Sequence, residues 1–151
     1  MATVNTYVWF DNTAEEAAKF YAAVIPGSRV VDVAHYPYGA AFTTSLELAG
    51  HAVTFVSGGP GHPSTDSVSL CLLVETQEEI DLVWDALTEG GTAGPGGWLT
   101  DRFGVSWQVA PTILPLLMSA EDPAKTLAVG LAVQAMTKLD IKMLRLAYDR
   151  G

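Results

Sequence analysis

The sequence predicts an α+β fold in which one βαβββ unit occurs twice. The same helix-start motif appears as Thr13-Ala14-Glu15-Glu16 and as Thr76-Gln77-Glu78-Glu79, 63 positions apart (76 − 13 = 63). A Thr followed three residues later by Glu is the pattern of a capping box, in which each side chain bonds the other residue's backbone N–H. Each motif follows a β-rich run, and each helical stretch ends at a glycine, Gly27 or Gly90. We therefore expect two copies of one module.

The first module is predicted to occupy residues 1–57. Runs rich in β-branched and aromatic residues predict its strands, and apolar residues at helical spacing predict its helix. In order, the elements are a strand Val4–Phe10, a helix Thr13–Val24, and strands Ser28–Tyr36, Ala41–Leu48 and Ala52–Ser57. Residues 58–66 are rich in Gly and Pro and are interpreted as a linker.

The second module is predicted to occupy residues 67–117. It repeats the order with a strand Val68–Glu75, a helix Thr76–Glu89, a short edge strand within Gly90–Gly97, and a hairpin from Gly97 to Val109. Residues 118–151 no longer follow the module pattern. Their sequence predicts two C-terminal helices, Ala124–Met136 and Ile141–Tyr148. These helices carry more apolar residues than contact with one surface would bury, which favours a contact with a second subunit in a dimer. The alternative is that they pack on the chain's own sheet.

Composition excludes several classes of protein. With 49% hydrophobic and 17% charged residues the chain is expected to be globular, and no apolar run approaches the ~20 residues that span a bilayer. The N-terminus has no secretory signal pattern, so the cytoplasm is the expected location. The net charge of −9 and the dispersed basic residues argue against a nucleic-acid partner. Cys71 is the single cysteine, which excludes an internal disulfide and a cysteine-cluster metal site.

Two sequence strings resemble a known superfamily. They are Glu15-Glu16-Ala17-Ala18-Lys19-Phe20-Tyr21 in the first helix and the hairpin from Gly97 to Gln108, GWLTDRFGVSWQ. Together with the paired modules they resemble the vicinal oxygen chelate superfamily of glyoxalase, bleomycin-resistance and dioxygenase proteins. Within it they resemble the PhnB-like group, also labelled 3-demethylubiquinone-9 3-methyltransferase-like. The resemblance implies a curved mixed sheet with a concave cavity, helices on its convex side, and a homodimer in which modules pair across chains.

In the metal-dependent members of this superfamily, four His or Glu side chains from equivalent strand positions bind the metal. By the same resemblance, Thr6, Ser69 and Gln108 stand at three of those positions here, and Glu47 is the single candidate carboxylate. Hydroxyl and amide oxygens are weak, neutral ligands for a divalent cation. No cofactor is therefore expected, although a divalent metal held with the help of Glu47 remains an alternative.

Strand alternation extends this set to a predicted cavity wall of mixed polarity. Glu47 is a candidate general base, with an ordinary surface carboxylate as the alternative, and Cys71 is interpreted as a small buried hydrophobe rather than a nucleophile. The wall suits a small, partly apolar organic molecule. The predicted ligand-binding residues are Thr6, Val8, Phe10, Glu47, Ser57, Ser69, Cys71, Trp98, Ser106 and Gln108.

The leading hypothesis is a metal-free protein that binds a small organic molecule, either to sequester it or to act on it by weak acid–base chemistry through Glu47. One alternative is a metal-dependent lyase, isomerase or dioxygenase that uses Glu47. A second is a scaffold that interacts through its C-terminal helices. Methyltransferase activity is not expected, because no glycine-rich loop follows a first strand to hold S-adenosylmethionine.

Overall fold

A computed structural model describes residues 1–119 and 121–151 of the chain; position 120, within the predicted tail, lies outside the described residues. The fold is α+β, and the chain forms two compact units, residues 1–64 and 65–151. None of the helices in the described residues has the length and apolar character that a membrane span requires.

The first unit has the predicted βαβββ order. Its elements are β1 (Thr6–Phe10), α1 (Ala14–Val24), β2 (Arg29–His35), β3 (Ala41–Leu48) and β4 (His51–Ser57). The sheet order is β1-β4-β3-β2, with β1 parallel to β4 and the other pairs antiparallel. Helix α1 covers one face of this sheet, where the ring of Tyr21 lies 5.6 Å from that of Phe55. We call the opposite face the far face of the first unit.

The second unit repeats this topology and adds three helices. Its elements are β5 (Leu70–Val74), α2 (Gln77–Thr88), β6 (Thr92–Ala93), β7 (Trp98–Thr100), β8 (Ser106–Pro111), α3 (Ile113–Met118), α4 (Pro123–Ala135) and α5 (Ile141–Arg150). The sheet order is β5-β8-β7-β6, with β5 parallel to β8. Helix α2 buries the predicted apolar stripe Ile80, Val83, Trp84 and Leu87. The sheet face opposite α2 is the far face of the second unit.

The two helix starts differ, and the prediction of two matching capping boxes is wrong for the first. The Thr76 hydroxyl accepts a hydrogen bond from the Glu79 N–H at 3.2 Å, as predicted. The reciprocal bond is wrong, because the Glu79 carboxylate accepts from the Glu75 N–H at 3.4 Å rather than from the Thr76 N–H. The Thr13 side chain caps nothing, because its backbone (φ −112°, ψ 15°) is not in the extended conformation that aims an N-cap side chain at the helix. The Ser57 hydroxyl, from the end of β4, instead accepts from the Ala14 N–H at 3.0 Å.

The C-terminal helices pack on the second unit itself. Ala110, on the far face at the end of β8, belongs to a buried apolar cluster with one residue from α3, one from α4, one from α5 and one from the α4–α5 connection. These are Leu117, Val129, Leu144 and Leu139. Packing on the chain's own sheet, one of the two alternatives left open by the sequence, therefore accounts for the inner side of the tail.

A side-chain clamp fixes the connection between α4 and α5. The amide of Gln77, the first residue of α2, donates to the Leu139 carbonyl at 3.0 Å and accepts from the Ile141 N–H at 2.8 Å. Next to it, the Lys138 ammonium lies 2.9 Å from the Asp81 carboxylate. This pairing lowers the pKa of Asp81 and raises the pKa of Lys138. The start of α2 is thus joined to a segment far along the chain.

Candidate functional site

The far face of the second unit brings together the residues predicted for its half of the site. Cys71 on β5 and Trp98 on β7 each pair with Gln108 on the central strand β8, so the three side chains form one row. Ser106 lies two residues from Gln108 on the same face. The alternate residue Trp107 is buried on the side of α2. The prediction for this module therefore agrees with the strand register.

Polar groups in this row have partly satisfied hydrogen bonds. The Gln108 Nε2 donates to the Ser69 hydroxyl oxygen at 3.1 Å, and the Ser106 hydroxyl donates to the Thr65 carbonyl at 3.4 Å. Within residues 1–119 and 121–151, the amide oxygen of Gln108 makes no hydrogen bond. The row therefore offers one neutral acceptor beside the exposed ring of Trp98.

Cys71 contributes bulk rather than charge to this face. The side chain is in contact with solvent, and desolvation by its neighbours raises the pKa of its thiol. A raised pKa favours the neutral thiol, which is the less reactive form. The interpretation of Cys71 as a buried side chain is wrong, because the residue is exposed on this strand face. Its neutral thiol contributes a small apolar surface instead.

In the first unit, Thr6, Val8 and Phe10 were predicted to line the cavity, and this prediction is wrong. The Phe10 ring lies 4.8 Å from that of Phe55, which in turn packs against α1. Thr6 and Val8 alternate in phase with Phe10, so all three point to the α1 side rather than to the far face.

The error comes from the connection between strand and helix. Two residues, Asp11 and Asn12, separate β1 from the helix start at Thr13, whereas Glu75 alone separates β5 from Thr76. Matching the modules by their helix starts therefore shifts β1 by one residue, and a shift of one residue moves every side chain to the opposite face.

The residues that occupy the far face on β1 are Tyr7 and Trp9. Both are exposed, at 68% and 40%. They are the counterparts of Cys71 and Leu73, and the sequence interpretation missed them. The signal that identifies them is the unequal length of the two strand–helix connections.

Two other predicted residues serve local structure. Ser57 caps α1 through its bond to Ala14, and the Thr6 hydroxyl lies 2.9 Å from the His51 Nε2. Both contacts lie on the α1 side of the first sheet, because Thr6 and Ser57 pair with Val53 and Phe10. Neither residue is available to a ligand on the far face.

Glu47 lies on the far face of the first unit, but a cation already engages its carboxylate. Arg29, its neighbour on β2, donates from Nε to Oε2 at 3.3 Å and from Nη2 to Oε1 at 3.1 Å. Both carboxylate oxygens are thus held in a two-point contact. A proton-abstracting or metal-binding role for Glu47 would require this ion pair to break.

The residues at the superfamily's metal positions do not fit a divalent cation. Thr6 points to the α1 side, Ser69 and Gln108 bond to each other, and Glu47 is paired with Arg29. Across the described residues, no three His, Cys, Asp or Glu side chains are grouped to hold a metal ion. The available donors are neutral oxygens, which replace the water shell of such an ion poorly.

Known proteins similar to this chain share its two-module part. The family model described as 3-demethylubiquinone-9 3-methyltransferase matches residues 2–110. The PhnB protein of Bacillus cereus is 28% identical, with a TM-score of 0.68, and the match covers 74% of this chain and 100% of that one. No curated protein matches the chain.

Two more distant solved structures share the fold. The fosfomycin resistance protein FosX of Listeria monocytogenes, complexed with Mn(II) and sulfate, is 10% identical with a TM-score of 0.53, and the match covers 72% of this chain and 89% of that one. A glyoxalase/bleomycin resistance protein of Albidiferax ferrireducens is 16% identical with a TM-score of 0.51, covering 72% and 97%. The family match ends at residue 110, so α3, α4 and α5 lie outside it. The chain belongs to the 3-demethylubiquinone-9 3-methyltransferase family.

Proposed function

We propose that the far face of the second unit binds a small, partly apolar organic molecule without a metal ion, as a sequestering protein would. The observation that carries this proposal is the row formed by Cys71, Gln108 and Trp98. An exposed indole ring offers a stacking surface, and a free amide oxygen beside it offers a directional acceptor. The ligand expected for such a row is an aromatic or apolar molecule with one hydrogen-bond donor.

Chemistry at this face is limited by the kinds of group present. Gln108, Ser69 and Ser106 are neutral, and the raised pKa of Cys71 keeps its thiol protonated. Acid–base catalysis by Glu47 would have to compete with Arg29 for the carboxylate. Binding is therefore favoured over turnover.

Methyl transfer, which the family's name describes, finds no supporting site. The residues that connect β1 to α1 and β5 to α2 include no glycine to let a backbone approach S-adenosylmethionine closely. One N–H group in the first turn of each helix is also engaged, since Ala14 bonds to Ser57 and Glu79 bonds to Thr76. The residues at both helix starts therefore do not fit that cofactor.

Binding can be tested with phenol and indole as probes, followed by ¹H–¹⁵N correlation spectra of the full chain. We expect shifts at the amides around Trp98 and Gln108, and about two- to twelvefold weaker binding in Trp98→Ala, since aromatic contacts contribute ~0.5–1.5 kcal/mol beyond their buried area. Gln134→Ala, at an exposed position of α4, is the control for Gln108→Ala. Binding that both site variants leave intact would disprove the proposal.

The metal-dependent alternative has its own measurement. The protein is dialysed against Zn²⁺ and Mn²⁺ and analysed for bound metal, alongside a Glu47→Gln variant. We expect neither protein to retain stoichiometric metal. Retention by the unmodified chain that is lost in Glu47→Gln would establish a metal site and overturn the metal-free proposal.

We also propose that the chain is a homodimer, as the superfamily resemblance implies, and that the outer side of the tail contributes to the contact. Leu127 and Leu131, one turn apart on α4, are 63% and 57% exposed. Leu131→Asp should shift the protein to a monomer in sedimentation velocity, and Gln134→Asp is the control on the same helix. A dimer that resists Leu131→Asp would remove the tail from the interface.

A further inference from the structure

The first unit has a pocket that the predicted site does not include. It encloses about 480 Å³ and lies where β1 and β4 end and α1 begins. Its lining residues include Asp11, Glu15, Tyr36 and Tyr38. The volume is in the range of sites for small organic ligands.

The tyrosine wall is held in place by its own contacts. The rings of Tyr36 and Tyr38 are stacked, with centroids 4.9 Å apart and planes 9° apart. The Tyr36 hydroxyl donates to the Ser57 carbonyl at 3.3 Å, and its ring lies 4.7 Å from that of Phe42. Because the stacked rings cover one face of each other, the wall offers the pocket only the remaining ring surface, and β4 and the β2–β3 hairpin set its position.

The charge lining the pocket has one sign. Asp11 and Glu15 are its charged residues, and no Lys or Arg lines it. Lys19 occupies one oxygen of Glu15, at 3.1 Å. Among residues 1–119 and 121–151, no hydrogen bond or ion pair engages the Asp11 carboxylate. Aromatic rings and carboxylates that line the same pocket form an environment that attracts an organic cation.

The start of a helix carries partial positive charge, which disfavours a cation. The second unit shows that carboxylates can outweigh this effect. There the Lys138 ammonium, from the α4–α5 connection, lies 2.9 Å from Asp81, which is in the second turn of α2. The lowered pKa of Asp81 and the raised pKa of Lys138 mean that the charged pair is favoured at that position.

We propose that this pocket binds a small organic cation, a substituted ammonium whose charge faces Asp11 and Glu15 while its alkyl groups pack on Tyr36 and Tyr38. This proposal does not depend on the function proposed for the far face of the second unit. Choline is a suitable probe because 3,3-dimethylbutan-1-ol has the same shape without the charge.

The test is a titration of the ¹⁵N-labelled full chain with each probe at constant ionic strength. Choline should shift the amides of Asn12, Gly58 and Gly59 saturably, with half-saturation between about 30 and about 200 mM, as two exposed cation–π contacts of ~0.5–1 kcal/mol each imply. The neutral alcohol should bind at least about fivefold more weakly. Asp11→Asn and Tyr38→Ala should each weaken choline binding severalfold.

Glu16→Gln is the matched control, because Glu16 is an exposed carboxylate on α1 that does not line the pocket. Equal binding of choline and the neutral alcohol would overturn the proposal. So would choline shifts that Asp11→Asn and Tyr38→Ala leave unchanged, shifts that Glu16→Gln weakens as much as Asp11→Asn, or the absence of saturable shifts at the pocket amides.

Discussion

Asp101 is expected to be the most sensitive polar residue of the second unit. It is 3% exposed at the end of β7. Its Oδ1 accepts from the N–H groups of Phe103 at 2.9 Å and Val105 at 3.0 Å, and its Oδ2 accepts from the Trp107 indole at 2.9 Å. The carboxylate thus ties the β7–β8 turn to a core aromatic residue.

The expected cost follows from these three bonds. In Asp101→Asn, the amide oxygen can still serve the two backbone groups, but its NH₂ then faces the indole N–H. One bond to a charged acceptor is lost, which costs about 1.5–3 kcal/mol of unfolding free energy. In Asp101→Ala, two buried donors and one part-buried donor lose their acceptor, and we expect about 3–5 kcal/mol.

Urea unfolding followed by far-UV circular dichroism measures both variants, with the exposed Asp66→Asn as control. A double-mutant cycle with Trp107→Phe isolates the indole bond, because Asn at position 101 then faces no donor. We expect a coupling of about 1–2 kcal/mol. A cost below about 0.5 kcal/mol for Asp101→Ala, or no coupling in the cycle, would refute this account.

Three further predictions concern stability. Thr44 is buried, and no described residue bonds its hydroxyl, so Thr44→Val should leave the free energy of unfolding unchanged or raise it by up to about 1 kcal/mol; a clear loss in urea unfolding would contradict this. Gly97 has φ +83°, and a Cβ there would lie 2.8 Å from the Val109 carbonyl oxygen, so Gly97→Ala should cost about 2 kcal/mol or more and speed hydrogen exchange in the tail. Lys138 lowers the pKa of Asp81, so their pair stabilises the fold above the unfolded value of about 3.9, and this contribution is lost as pH falls through the lower folded value. The free energy of unfolding should therefore change less between about pH 6 and about pH 3 in Asp81→Asn than in the unmodified chain, as urea unfolding curves would measure.

Local patterns predicted most of the architecture. The repeated helix start located both modules, and the apolar stripe from Ile80 to Leu87 identified the buried side of α2 correctly. Alternation along β5 and β8 also placed Cys71 and Gln108 on one face. These features depend on residues close together in sequence, where periodicity is informative.

The errors arise where one residue or one distant partner decides the outcome. A single extra residue before Thr13 reversed the faces of β1, and the partner of Glu47 was fixed by the register between β2 and β3. Helix α3 was not predicted. Its Pro115 is compatible with a helix because it lies in the first turn, where a residue without an N–H removes no hydrogen bond of the helix. The pocket beside Tyr36 depends on how a hairpin tip meets a strand end.

The two modules complete their helix starts by different means. In the first unit, α1 packs on the seven- and eight-residue strands of the β2–β3 hairpin. In the second unit, β6 and β7 have only two and three residues, and the Gln77 clamp brings Leu139 and Ile141 to the start of α2. During synthesis on the ribosome, the first unit can therefore fold early. The second unit can fold only after almost the whole chain has left the ribosome. A chain truncated before position 139 should accordingly have a folded first unit and an incompletely folded second unit that proteases cleave.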